Sequence, residues 1–369
     1  MEVLIGILGI VITLGSIVFV HELGHYLVAK LSKMGVHEFS IGFGPPLISW
    51  VRKETRYSLR AVPLGGYVRI AGMEPGEENE ANGFYTKGFF AKFATILAGA
   101  TMNFILALVV FIVIGLAIGY HVPGKRAVIE NVIAKTPAEA AGLRKDDVLV
   151  EINGVKNPDA KKAAETLHDS TGQVSLVVER EGKQFPLRIA PIEQKTHELK
   201  GIDIVETRYK AIGVQLYWEL TRQSPRQSIV KGGESLFYTL RFALANIRYI
   251  GSGKAKITDI GGPVMVMRAS YEVSKDALSS KENFANFLNR LALFSVLIGF
   301  FNILPVPALD GGHLATIATE AVYKRITKKD FDRNKVAIVH AVGLIILLAF
   351  IVVISIKDVG QWIGVFKTP

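Results

Sequence analysis

Four apolar runs, near 4–29, 93–120, 284–304 and 337–356, constrain this chain more than anything else in it. Each is long enough, at roughly 20 residues or more, to cross a hydrocarbon layer of about 30 Å as a helix. Lipid offers an irregular backbone no hydrogen-bond partner, so helices are what such runs must form. The expected fold class is a polytopic α-helical membrane protein with about four transmembrane helices. A mean hydropathy of +0.32 agrees with that. The interval 121–283 keeps ordinary globular polarity, room for one soluble domain of about 75–100 residues.

Charge orients the spans. The formal net charge is +10, and among the short segments flanking the spans, 30–92 and 311–336 hold the Lys and Arg bias, whereas the N-terminus has none. Lys and Arg form no single patch with interleaved aromatics, so no nucleic-acid partner is expected. The lipid bilayer is. The positive-inside rule places both segments in the cytoplasm, and the N-terminus, 121–283 and the C-terminus on the opposite side. The first run lacks a basic leader and a small-residue cleavage site, and so reads as a permanent helix rather than a signal peptide. Cysteine is absent, which excludes disulfides and thiolate ligands and suits an exterior compartment.

Inside the first span stand His21, Glu22 and His25. A charged side chain at the centre of such a helix costs roughly 2.5–3.5 kcal/mol, so stability does not explain them. At i and i+4 the two imidazoles share a helix face and converge on one point, with Glu22 adjacent. This is the HExxH arrangement, in which two neutral imidazoles bind Zn2+ and the Glu serves as general base toward water. Gly24 lets a second backbone pack closely.

Residues 37–70 stop reading as helix. Gly42, Gly44, Pro45, Pro46, Pro63, Gly65 and Gly66 punctuate short β-type pieces, giving a hairpin-like element whose aromatics, among them Phe39, Trp50 and Tyr67, dip into the membrane interface. Its strand edge either holds an extended peptide or only packs. The acidic stretch 74–82 reads as a mobile loop, and 83–92 as an interfacial lead-in to the second span. In that span Gly99, Ala100 and Thr101 form a small-residue face. Asn103 is a lone amide that must find a partner, and inter-helix packing near the site is preferred over direct catalysis.

The soluble interval opens with a strand at 127–132. Thr136-Pro137 follows as a helix start, and then come a strand at 147–152, an Asn153-Gly154 turn, a helix at 158–170 and two strands at 174–180 and 184–190. That order, with Ala140-Ala141-Gly142-Leu143-Arg144-Lys145-Asp146-Asp147 before Ile152-Asn153-Gly154, resembles a bacterial PDZ domain over 122–194. Asp146 stands where such domains usually carry Gly. The resemblance implies strand addition of a peptide or, equally, gating of access. Residues 195–223 carry little signal, whereas 224–251 reads as an amphipathic helix lying either on the membrane surface or against the soluble domain.

The third span ends in Asn302-Ile303-Leu304-Pro305-Val306-Pro307-Ala308-Leu309-Asp310-Gly311-Gly312-His313. Prolines break the helix at membrane depth, which requires a backbone that lines a cavity or is buried in protein. Spans one and three run in the same direction, with their polar clusters at corresponding, cytoplasm-facing ends. His21, His25 and Asp310 then meet at one depth, giving two His, one Asp and an open position, the layout of a catalytic zinc site. His313 is either a further ligand or a supporting group, with the second preferred. His340 reads as a satisfied or interfacial histidine.

Together, His21-Glu22-Leu23-Gly24-His25 and Asn302 through Asp310-Gly311, around a PDZ insert, resemble the site-2 protease family of intramembrane zinc metalloproteases, in its bacterial RseP-like branch with a single PDZ domain. Gly42-Phe43-Gly44-Pro45, Pro63-Leu64-Gly65-Gly66-Tyr67 and Ala98-Gly99 extend the likeness over most of the chain. It implies zinc on His21, His25 and Asp310, with Glu22 as the catalytic base. It also implies substrate contacts from Asn302, from Pro305 at the helix break, and from Gly66 and Tyr67 in a hairpin at 57–70 that engages an unwound substrate helix. Ala100 and Leu297 depart from the motifs, which commonly carry Pro and Asn there.

The expected division is 1–121 for the first membrane part, 122–194 for the PDZ domain, 195–282 for a linker with the amphipathic helix, and 283–369 for the second membrane part. The expected activity is cleavage of transmembrane segments in single-pass proteins already cut by another protease, such as anti-sigma factors or signal-peptide remnants. The location is the bacterial inner membrane, with the PDZ domain outside and the active site toward the cytoplasm. Two alternatives stand beside it. One is a non-catalytic PDZ membrane adaptor with a structural metal, which predicts a closed shell of four ligands. The other is a membrane HExxH peptidase cutting soluble loops, which would take as its third ligand a Glu or His C-terminal to the motif rather than Asp310 behind a broken span.

Overall fold

The protein is described by a computed structural model covering residues 2–74, 76–77, 80–254, 261–329 and 332–363. In chain order, helix α1 (Glu2–Leu31) leads into two long strands, β1 (Val36–Arg52) and β2 (Thr55–Ile70), and then α2 (Phe89–Val113). Strands β3 (Tyr120–Pro123) and β4 (Ile129–Val132) precede the one-turn α3 (Pro137–Ala140), β5 (Val148–Ile152), β6 (Val155–Lys156) and α4 (Ala160–His168). Next come β7 (Val174–Arg180), β8 (Lys183–Ile189), β9 (Ile192–Lys200), β10 (Asp203–Ala211), β11 (Val214–Leu216) and β12 (Trp218–Thr221). The chain closes with α5 (Pro225–Gly251), α6 (Pro263–Lys275), α7 (Lys281–Ile303), α8 (Asp310–Thr327) and α9 (Arg333–Trp362). Four helices are long and apolar enough to cross a membrane: Val3–Leu31, Phe89–Ile118, Lys281–Ile303 and Asn334–Trp362. The chain is a polytopic membrane protein.

The residues divide into two compact units, Met1–Ile114 with Gln227–Pro369, and Gly115–Arg226. In the first, α2 packs between α1 and α7. Small residues permit this. A side chain at Gly24 of α1 would strike the Ala98 carbonyl of α2, and one at Gly299 of α7 would lie 3.1 Å from the Ala100 carbonyl oxygen. Buried Lys92 of α2 pairs with Glu320 of α8 at 3.0 Å, so the charge does not go uncompensated.

Strands β1 and β2 each bend back on themselves. Residues 36–41 pair on one side with 66–70 and on the other with 56–59, while 46–52 pairs with 55–60. Four short segments result, ordered 66–70, 36–41, 55–60, 46–52. The bend in β1 needs Gly42, whose φ of +86° is open to few other residues and whose missing side chain leaves room for the Val62 carbonyl. Leu47, Ile48, Trp50 and Val51 are exposed on the outer segment, as is Phe43 at the bend, the apolar surface expected of an element dipping into lipid. Of the acidic stretch 74–82, Pro75, Glu78 and Asn79 lie outside the described residues, while Glu74 and Glu77 pair with Arg69.

The second unit is strand-rich. Its main sheet runs β6-β5-β7-β8, and its core gathers Ile129, Leu149, Ile152, Leu176, Val178 and Ile212. The expected boundary at 194 falls inside β9. The chain instead forms the β9–β10 hairpin and returns through β11 and β12 to pair with β4 and β3, so the compact unit continues to Arg226. Within the interval 195–282, helix α5 matches the expected amphipathic helix closely, α6 was not foreseen, and 255–260 lie outside the described residues. Thr136 precedes α3 without capping it, because its hydroxyl donates to the Ile133 carbonyl at 2.6 Å.

Candidate metal centre

The helical spacing of His21 and His25 turns both rings toward α2 and the start of α8. Their Nε2 atoms stand 3.2 Å apart, and Asp310 Oδ2 lies 3.0 Å from the first and 3.2 Å from the second. Ligand atoms about 2.0–2.1 Å from a tetrahedral zinc are separated by roughly 3.3–3.4 Å, close to these edges. Both histidines are buried. Asp310 is brought here by the chain break after α7. Residues 304–309 make tight turns, and a side chain on Gly311 or Gly312 would collide with the Leu304 or Val306 carbonyl.

Proton accounting shows that the residues fit zinc. His25 Nδ1 is 2.8 Å from the Thr95 carbonyl oxygen, which only accepts, so in the neutral ring Nδ1 carries the proton and Nε2 presents a lone pair. That lone pair faces Asp310 Oδ2, a buried oxygen set between the two imidazole Nε2 atoms. Acceptors aimed at one another across about 3 Å are the signature of a cation site, and the two-imidazole, one-carboxylate donor set is that of catalytic zinc. Thr95 was not legible as a site residue, since its part is played by a backbone carbonyl. Gly99 was legible only as a small residue, yet a side chain there would overlap the His25 ring and lie 2.8 Å from His21 Cε1.

Glu22 faces strand β2. Its carboxylate lies toward the Val68 backbone, and a side chain built on Gly66 would lie 3.6 Å from Glu22 Cγ. Segment 66–70 pairs with 36–41 along one edge, and the close approach of Gly66 to Glu22 sets the segment beside that carboxylate. Tyr67 belongs to a different cluster. Its hydroxyl accepts from Arg60 Nη2 at 2.7 Å, and Arg60 also reaches Glu38 (2.8 Å), Ser40 (2.8 Å) and the Gly44 carbonyl (2.7 Å). Burial would raise the Glu38 carboxyl, but hydrogen bonds from Ser58 and Arg60 hold it below the ordinary carboxylate range. Arg60 thereby braces the sheet that presents Gly66.

Asn302 stands in the last turn of α7 and is half-buried. Pro305 is exposed and lines a cavity of about 250 Å³ between α8 and α9, shared with Pro307, Thr316, Lys335 and His340. His313 stacks on His340, centroids 4.2 Å apart. His340 Nδ1 accepts from the Ala308 N–H, and its Nε2 meets Thr316 Oγ1 at 3.3 Å, so it is a satisfied histidine. A further cavity, of about 290 Å³, lies in the strand-rich unit between α4 and β10–β11, lined by His168, Tyr209, Lys210, Ile212, Leu216 and Trp218.

The profile of peptidase family M50 matches residues 9–350. The chain belongs to this family, the site-2 proteases. A Fusobacterium nucleatum protein provisionally named a zinc metalloprotease is 35% identical to this M50 protease over 95% of the chain and 97% of its own length. Zinc metalloprotease RasP of Geobacillus kaustophilus is 28% identical over 98% of the chain and 99% of its own length, and RasP of Oceanobacillus iheyensis is 26% identical over 96% and 99%. The M50 protease is a zinc metalloprotease of the membrane.

Proposed function

We propose that this M50 protease cuts the transmembrane segments of single-pass membrane proteins. His21, His25 and Asp310 hold the zinc, which when bound supplies Lewis acidity toward water and the scissile carbonyl. The single observation that carries this reading is the sheet edge 66–70 beside Glu22. A helical carbonyl is hydrogen-bonded and shielded, so a membrane-spanning substrate must unwind before attack. Strand addition to 66–70 gives the extended segment new backbone partners. Glu22 then removes a proton from water as the oxygen joins the carbonyl carbon, and returns it to the departing amide nitrogen as the C–N bond breaks. Asn302 and Pro305, at the broken end of α7, contact the substrate backbone.

In this reading the metal end of the spans faces the cytoplasm of a bacterial inner membrane and the 115–226 unit lies outside. That unit is PDZ-like, and it selects substrates by binding or by gating, which favours proteins already shortened by another protease. Three converging protein ligand atoms among the described residues support a catalytic zinc over the closed shell that a non-catalytic adaptor predicts.

The test uses the solubilised full chain and a fluorescent single-pass substrate. Glu22→Gln is expected to keep one zinc per chain while turnover falls by about 100-fold to 10,000-fold. Undiminished turnover in that variant sinks the role given to Glu22 and favours the adaptor.

A further inference from the structure

We propose that Asn103 is a positioning residue for His21: its side-chain oxygen accepts the His21 Nδ1 proton and so fixes the tautomer that offers Nε2 to the metal. The inference rests on the assignment of His21 as a zinc ligand. Asn103 is 0% exposed, in the middle of a membrane-spanning helix. Its amide is 3.2 Å from His21 Nδ1, drawn with Nδ2 toward the ring, and its Oδ1 has no hydrogen-bond partner.

In that orientation the amide N–H donates to Nδ1, and the ring must carry its proton on Nε2. That proton would point at His25 Nε2 and Asp310 Oδ2, leaving no lone pair for a metal. A half-turn of the amide exchanges oxygen for nitrogen with little change of shape. Oδ1 then accepts from Nδ1–H, and His21 Nε2 is free to ligate.

The neighbouring ring shows the same logic. Behind His25 Nδ1 stands the Thr95 carbonyl oxygen, at 2.8 Å. Thr95, Gly99 and Asn103 are spaced by four, on one face of α2. That face presents a backbone oxygen to one imidazole, a gap where a side chain would overlap the rings, and a side-chain amide to the other imidazole. Helix α7 holds Asn103 from behind, with Ser295 Oγ donating to its backbone carbonyl at 2.8 Å. Packing alone would be served as well by Leu, which costs nothing in hydrocarbon.

The test compares Asn103→Leu with Asn103→Asp in the solubilised full chain, stripped of metal and titrated with zinc against a competing chelator. The visible absorption of the cobalt-substituted protein is recorded in parallel. Asn103→Leu is expected to weaken zinc binding by about 10- to 100-fold and to alter the cobalt spectrum. Asn103→Asp, which as a carboxylate can only accept, is expected to bind within about threefold of the parent or tighter. Wild-type affinity in Asn103→Leu, or a matching loss in Asn103→Asp, overturns the proposal. Should Asn103→Leu fail to fold, the Asp variant decides alone, retention supporting and loss refuting. Zinc binding that survives Asp310→Ala unchanged would instead show that the ligand assignment is at fault.

Discussion

Asp146 adopts φ +69°, a left-handed conformation that costs most L-residues roughly 1–2 kcal/mol and Asp somewhat less. Its N–H nevertheless bonds the Ile129 carbonyl at 2.8 Å, so the turn keeps its shape without glycine. Asp146→Gly is expected to stabilise the strand-rich unit by about 0.5–1 kcal/mol, read as roughly two- to fivefold slower hydrogen exchange in β5 and β7. Its neighbour Asp147 is buried. Burial would raise its carboxyl, but Arg180, at 2.6 and 2.7 Å, and the Arg144 N–H, at 2.8 Å, hold it below the ordinary range. A carboxyl with a depressed folded pKa contributes stability above its unfolded value of about 3.9 and loses it as pH falls through that value toward the folded one. The gap in unfolding midpoint between the parent and Asp147→Asn should therefore be widest above about pH 5 and narrow progressively as the pH falls below about 4. A constant gap contradicts the pairing. The sequence shows His21, Glu22, His25 and Asp310 as anomalies, because charge in hydrocarbon has no structural excuse. It hides Thr95, whose contribution is a carbonyl every residue owns, and it shows Asn103 only as an amide in want of a partner.

Among the elements, the four spans and α5 are legible because apolar length and helical periodicity are local properties. Helix α8 is not, since it follows two prolines and its mixed polarity looks like a cytoplasmic loop. The β9–β10 hairpin escapes for another reason: its strands alternate without a consistent apolar face, and charged pairs such as Lys195 with Glu206, at 2.9 Å, tie its exposed surface. The bends in β1 and β2 were visible as glycines and prolines, but not the double pairing they permit. Gly42→Ala forces a side chain to within 2.6 Å of the Val62 carbonyl at an unfavourable φ, a strain of at least roughly 1–2 kcal/mol. Turnover of a transmembrane substrate is expected to fall at least about tenfold while zinc content stays at the parent level, because the proposed metal ligands come from α1 and α8. Unchanged turnover would show that the sheet takes no part in presenting substrate.

Across the whole molecule, the first unit is assembled from two sequence segments with the 115–226 unit inserted between them. The compact unit runs from Gly115 to Arg226, beyond the expected 122–194 at both ends, because β11 and β12 return to β4 and β3 over intervals no local pattern records. The proposed metal centre crosses the same gap, joining α1 to α8, and its sequence signals were the depth and direction of the spans and the motifs at their ends. Loss of Asp310 should weaken zinc binding by at least about 100-fold, on the order of 3 kcal/mol, as measured by chelator competition on Asp310→Ala. The central claim, proteolysis within the membrane, is tested most directly by locating the cut. The full chain is reconstituted in liposomes with a single-pass substrate, and the products are identified by mass spectrometry. New termini inside the apolar span, absent with Glu22→Gln, are the predicted result; cleavage confined to the substrate's soluble flanks, or undiminished in that variant, would contradict it.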